Sequence, residues 1–183
     1  MQEAAPAWSG PVCTIGHSTR PFDDFVALLR GHGVAAIADV RRFPGSRRQP
    51  QYGRDALAAA LAAQGIGYLW LPELGGRRRA RPDSPNTGWR HEAFRGYADH
   101  MASDEFRRGY DRLVAFCALQ PTAIMCAEAL WWRCHRALIA DALTADGVAV
   151  RHILGPGKSA AHVQRVPARW VEGHLVYAAA AAP

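Results

Sequence analysis

Apolar residues in this chain follow two rhythms that alternate. Residues 12–15 form a short apolar run closed by Gly16, which predicts a buried strand. Phe22, Phe25, Val26, Leu28 and Leu29 then recur at helical spacing, with Pro21 in the first turn and Gly31 at the end. Residues 34–40 predict a second strand, Leu57 and Leu61 mark a helix that Gly65 closes, and residues 66–71 predict a third strand. Two helices follow. One covers roughly residues 92–101; the other opens at Ser103, a good N-cap with Asp104 and Glu105 behind it and Phe106, Tyr110, Leu113, Val114 and Phe116 on its apolar face. The run that starts at Ala123 predicts a fourth strand ending near Cys126, and an amphipathic helix begins near Cys134. Residues 148–154 predict a fifth strand.

Strands alternating with helices predict an α/β protein: a single three-layer domain with a mostly parallel sheet of about five strands, Rossmann-like in plan. The domain is expected over residues 12–166, after a loose lead-in at 1–11. Residues 167–183 are expected to form a C-terminal tail or an edge strand, with 171–177 the strand candidate and the last alanines frayed. In such a sheet the turns that follow the strands gather at one end, where ligands bind.

The charge balance changes the picture. Formal net charge is +6, and almost all the positive charge is arginine, since Lys158 is the only lysine. Arginine presents a planar fork of donors that suits phosphate or carboxylate. Arg47, Arg48, Arg77, Arg78, Arg79, Arg81 and Arg90 fall in loops, interleaved with Tyr52, Trp70, Trp89 and Tyr97, a pattern that fits phosphates plus base stacking. The expected partner is an anionic small molecule or a nucleic acid. No apolar run is long enough to span a membrane, no obligate protein partner is indicated, and no cofactor is expected. The four cysteines, 13, 117, 126 and 134, show no paired metal spacing and suit free thiols in a reducing cytoplasm.

The chemistry-bearing residues concentrate at the predicted strand ends. Cys126 and Glu128 sit in a strand-to-helix turn with Arg133, Cys134, His135 and Arg136, which makes Cys126 a nucleophile candidate and Glu128 a base. Asp39, at the end of the second strand, can take a proton or orient Arg41; His135 can shuttle a proton, bind an anion or cap the helix. His17, Ser18, Arg20, Arg41, Glu73, Arg77, Arg133 and Arg136 are the candidates for holding substrate charge. No metal is expected, because adjacent Cys and His rarely face one ion and no second Cys pair completes a tetrahedral site.

Thr14-Ile-Gly-His-Ser-Thr-Arg20, Asp39-Val-Arg41, Pro44-x-Ser-Arg-Arg48, Leu71-Pro-Glu-Leu-Gly-Gly76, Phe94-Arg-Gly-Tyr97 and Cys126-Ala-Glu128 with Arg133-Cys-His-Arg136 resemble the signatures of the domain of unknown function 488 family. The resemblance runs from about residue 12 to about residue 154. It implies a compact cytoplasmic α/β domain with a shared site and no settled reaction.

Three functions remain open from the sequence. One is an enzyme acting on a phosphorylated, nucleotide or nucleic-acid substrate in a basic cleft, using Cys126 and Glu128. The second is a non-catalytic nucleic-acid-binding module using the same arginines. The third is a rhodanese-like sulfurtransferase, suggested by the Cys–x₆–Arg segment from Cys126 to Arg133, although that segment has no glycine to let its backbone wrap an oxyanion.

Overall fold

The computed structural model describes residues 8–45 and 47–179. Residues 1–7 of the expected lead-in, the last four residues and Ser46 of the arginine-rich motif lie outside it. A six-stranded sheet forms the middle layer, in the order β3-β2-β4-β1-β5-β6. Its strands are β1 (Val12–Gly16), β2 (Ala36–Asp39), β3 (Gly67–Trp70), β4 (Thr122–Cys126), β5 (Val150–Gly155) and β6 (Lys158–Ala161). The first five run parallel, and β6 returns antiparallel to β5.

Pleating splits the core into two layers, because successive side chains on a strand face opposite ways. On one face, Ile15, Ile37, Ala123 and Met125 pack against α1 (Phe22–Gly31) and α2 (Arg54–Ala63) through Phe25, Leu29, Leu57 and Leu61. On the other, Val12, Ala38, Ile124 and Val150 pack against α3 (Glu92–His100), α4 (Asp104–Cys117) and α5 (Arg136–Ala145). Helix α4 starts where expected: the Ser103 hydroxyl accepts from the Phe106 amide at 3.2 Å, and Asp104 and Glu105 complement the positive end of the dipole.

The sheet has one strand more than the apolar runs predict. β6 is a short edge strand after the Gly155-Pro156-Gly157 turn, and its partly exposed Lys158–Ala161 carries no apolar alternation. The C-terminal segment makes a hairpin of its own, β7 (Arg169–Val171) against β8 (His174–Val176), rather than pairing with the main sheet. Glu172 and Gly173 turn it with positive φ, 48° and 81°. Leu175 and Tyr177 are buried in the α3–α5 layer, so this segment closes the core.

Register sets the site. Gly16 is level with Cys126 and Asp39 with Met125, so β1, β2 and β4 end together. Their neighbours then diverge: β2 leads toward α2 on one face and β4 toward α5 on the other. Adjacent parallel strands whose connections leave by opposite faces open a crevice at their carboxyl ends.

Candidate functional site

The turn from β4 to α5 holds the chemical groups, and backbone contacts fix its shape. His17 and Ser18 amides donate to the Cys126 and Ala127 carbonyls at 3.0 and 2.9 Å. Gly16 lies directly beneath the turn; a Cβ there would stand 1.9 Å from the Glu128 carbonyl oxygen, so no other residue fits without moving the chain. Arg136, 1% exposed, donates through Nη2 to the Glu128 and Ala129 carbonyls at 2.5 and 3.4 Å. A short 3-10 helix, Trp131–Arg133, then brings the chain back so that Cys134 and His135 come over Cys126.

Three ligand atoms meet there. Cys126 Sγ, Cys134 Sγ and one nitrogen of His135 all lie within 4.8 Å of one another. His135 Nε2 is 3.0 Å from the Val40 carbonyl. A carbonyl only accepts, so Nε2 carries a hydrogen; Nδ1 faces Cys134 Sγ at 3.6 Å, offering a lone pair when the ring is neutral and donating an N–H when it is protonated. Adjacent Cys and His rarely face one point, and here the backbone brings them to it. Cys134 is extended (φ −127°, ψ 146°) and His135 helical (φ −57°, ψ −16°), and the change between them swings both side chains to one side.

The two thiols differ in electrostatics. The hydrogen bond with Cys134, then burial, hold the Cys126 thiol well above the ordinary thiol range. Burial pushes Cys134 upward too, but the hydrogen bond from Cys126 and the charges of His135 and Arg136 outweigh it and bring Cys134 well below that range. The pair therefore holds its first negative charge on Cys134, with the Cys126 thiol as donor.

Behind the thiols stands a rigid arginine. Asp39 grips Arg41 with both oxygens, Nε–Oδ1 at 2.8 Å and Nη2–Oδ2 at 2.6 Å, and Tyr68 donates to Oδ2 at 2.7 Å. Asp39 is 0% exposed and both of its oxygens are engaged, which fixes the orientation of Arg41. Arg41 Nη1 donates to the Tyr52 carbonyl at 2.8 Å and to His17 Nε2 at 3.2 Å. His17 Nδ1 donates to the Ser18 carbonyl at 2.8 Å while its ring stacks on Tyr52 at 4.0 Å. Burial, with Arg41 and Arg136 adding to it, lowers the His17 pKa to about 4, so this histidine is a neutral acceptor at pH 7.

A cleft of about 650 Å³ opens over this floor. Arg41, Cys126, Cys134 and His135 line its base; Arg42, Phe43, Arg77, His91, Phe94, Tyr97, Trp132, Arg133 and Glu128 line its walls and lip. Arg78 and Arg112 are neutralised elsewhere by Glu105 and Glu73. Among the described residues, no carboxylate pairs with Arg42, Arg77 or Arg133, and Glu128 is the single acid in the lining. One Glu128 oxygen accepts the Leu130 amide at 3.1 Å.

Of the sequence candidates, the cleft brings together Arg41, Arg77, Cys126, Glu128, Arg133 and His135, with His17 and Asp39 braced behind Arg41. The other four lie elsewhere. Arg136 is turned inward as a backbone clamp, Glu73 pairs with Arg112 at 2.6 Å, Arg20 donates to the Gly16 carbonyl, and Ser18 braces the turn with φ 51°. The adjacent tryptophans divide their tasks: Trp131 stacks on His152 at 4.0 Å in the core, while Trp132 reaches the cleft. Cys134 stands in the sequence motif with no task marked for it, and Arg42, Phe43, Gly76, His91 and Phe94 carry no chemical signature of their own. The Phe94-Arg-Gly-Tyr97 motif was their available signal, since α3 forms one wall.

Fold and site together define an α/β protein with a thiol–imidazole centre at the base of a basic cleft. The chain belongs to the family described as Domain of unknown function DUF488, which matches residues 21–143 and so takes in the centre and the whole lining of the cleft. No curated protein and no solved structure gives a significant match. Among the described residues no helix is long and apolar enough to cross a membrane.

Proposed function

We propose that this protein is an enzyme that binds a phosphate-bearing substrate, nucleotide or nucleic acid, in the basic cleft, and acts on it with the Cys126–Cys134–His135 centre. One observation carries this reading: two thiols and an oriented imidazole converge within 4.8 Å at the base of a cleft ringed by arginines without carboxylate partners. A binding module needs the arginines but not the centre. The reactive thiol is Cys134 rather than Cys126, because Cys134 faces His135 and the Cys126 thiol supports its charge. Glu128, at the lip with one oxygen uncommitted, is placed to move a proton on bound substrate. Free thiols of this kind suit a reducing, cytoplasmic setting.

The sulfurtransferase reading has less support. A loop that wraps an oxyanion offers successive free amides. Here the Leu130, Arg133 and Cys134 amides are spent on Glu128 Oε1 and on the Leu130 and Trp131 carbonyls. A nucleic-acid substrate is favoured over a bare phosphate by Phe43 and Trp132 at the rim, 67% and 39% exposed, which offer stacking faces beside the arginines.

The test is turnover by the reduced protein on nucleoside triphosphates and on short single-stranded DNA and RNA. Cys134→Ser should abolish it, and joint replacement of Arg77 and Arg133 by alanine should raise KM at least about tenfold, a change of about 1.4 kcal/mol. Full activity in Cys134→Ser would exclude the centre from the chemistry.

A further inference from the structure

We propose that Cys126 Sγ, Cys134 Sγ and His135 Nδ1 are a three-ligand site for a zinc-type divalent ion, with the fourth tetrahedral position facing the cleft. The inference rests on the reading of the cleft as a substrate site only for the use of that fourth position; the ligand geometry stands by itself.

Four observations support it. First, the spacing fits. Bond lengths of about 2.3 Å to sulfur and about 2.05 Å to nitrogen at tetrahedral angles place S···N at about 3.6 Å and S···S at about 3.8 Å. Cys134 Sγ and His135 Nδ1 are 3.6 Å apart, and the two sulfurs and one His135 nitrogen all fall within 4.8 Å of one another. Second, the histidine is prepared as a ligand. Metal-bound imidazoles hold their other N–H on a carbonyl or carboxylate, which fixes the tautomer. His135 does this with Val40, and in the neutral ring the free lone pair is on the nitrogen that faces Cys134 Sγ.

Third, the ring is packed in place. Gly76 packs on it so closely that a Cβ would stand 2.8 Å from Nδ1. Fourth, donor type and access agree. Two thiolates and an imidazole suit a borderline-soft cation, and three protein ligands with an open fourth position are the pattern of catalytic zinc sites. All three residues line the cleft, and no fourth His, Cys, Asp or Glu among the described residues joins the cluster. The fourth position is then open to water or to a substrate oxygen.

The experiment uses the full chain, reduced and stripped of metal, titrated with Zn²⁺ alone and with Co²⁺ alone. One ion per chain should bind, and Co²⁺ should show a thiolate-to-metal charge-transfer band with the intense ligand-field bands of a tetrahedral ion. Cys126→Ser, Cys134→Ser and His135→Gln should each weaken binding by about a hundredfold or more. A Cys13→Ser, Cys117→Ser double variant should match the parent. Gly76→Ala, which keeps all three ligand residues, should alter the Co²⁺ spectrum by displacing the imidazole. Absence of the charge-transfer band, or unchanged affinity in Cys134→Ser, would overturn the site.

Pyrophosphate binding to the metal-free protein is measured alongside. Pyrophosphate bound without any Co²⁺–thiolate signal removes the metal and leaves the substrate cleft. A tetrahedral Co²⁺ spectrum without pyrophosphate binding establishes the metal and removes the phosphate reading.

Discussion

Cys134 faces an imidazole nitrogen at 3.6 Å, whereas Cys126 faces Cys134. Identical thiols thus acquire different tasks from their surroundings. In the metal-free protein, thiolate absorbance followed against pH should show one cysteine ionising well below the ordinary thiol range. Cys134→Ser should remove that transition, and Cys126→Ala should move it upward by deleting the donor. Persistence of the low transition in Cys134→Ser would reverse the assignment. Arg136 makes a second residue-scale case. In sequence it looks like one more anion ligand beside Arg133, yet it is buried and holds the Glu128 and Ala129 carbonyls. Arg136→Ala leaves those carbonyls unsatisfied and should cost about 3 kcal/mol in urea unfolding. A stability change under about 0.5 kcal/mol with weakened anion binding would return it to the substrate site. The motif Arg133-Cys-His-Arg136 was legible as a cluster. What was hidden was direction, because sequence does not say which of two arginines turns inward.

At the scale of elements, the strand-to-helix junctions decide the site. Apolar rhythm located β1 to β5 and the five helices because each packs apolar side chains against the core, the edge strand β3 only partly. The same rhythm missed β6, whose Ser159, Ala160 and Ala161 are too small and too exposed to make a pattern. It also left residues 171–177 as one strand, since only the positive φ at Glu172 and Gly173 reveals the hairpin turn. That hairpin leads into Tyr177, which is fully buried, accepts no solvent, and donates to Asp141 at 2.8 Å while Asn86 holds its amide at 2.9 Å. Tyr177→Ala should therefore destabilise the protein by about 3–5 kcal/mol, as for other buried aromatics. A loss under about 1 kcal/mol would mean that the C-terminal segment is an appendage and not part of the core. The cleft walls were the least legible feature. Arg42 and Phe43 follow β2 and His91 precedes α3, nearly 50 positions apart, and nothing in the spacing joins them.

Across the whole molecule, buried neutral histidines link the site to the fold. His17 is held down at about 4 and His152 at about 3, in both cases chiefly by burial. In the unfolded chain each has a pKa of about 6.5. Below that pH the unfolded state binds more protons, so stability should fall as pH drops from about 6.5 toward about 4. His17→Gln should flatten this loss relative to the parent; an equal slope would show that His17 titrates normally in the fold. Net charge acts in the opposite direction, toward partners. With +6 overall and unpaired arginines at the cleft, the molecule should attract polyanions, and salt should weaken that attraction. The central claim is that Arg42, Arg77 and Arg133 hold a phosphate group above the Cys126–Cys134–His135 centre. It is tested most directly by pyrophosphate affinity, measured by calorimetry at several salt concentrations on the parent, an Arg77→Ala, Arg133→Ala double variant and Cys134→Ser. The prediction is affinity that falls as salt rises, a loss of at least about tenfold in the double variant, and affinity within about tenfold of the parent in Cys134→Ser. Equal affinity in the parent and the arginine variant would contradict it.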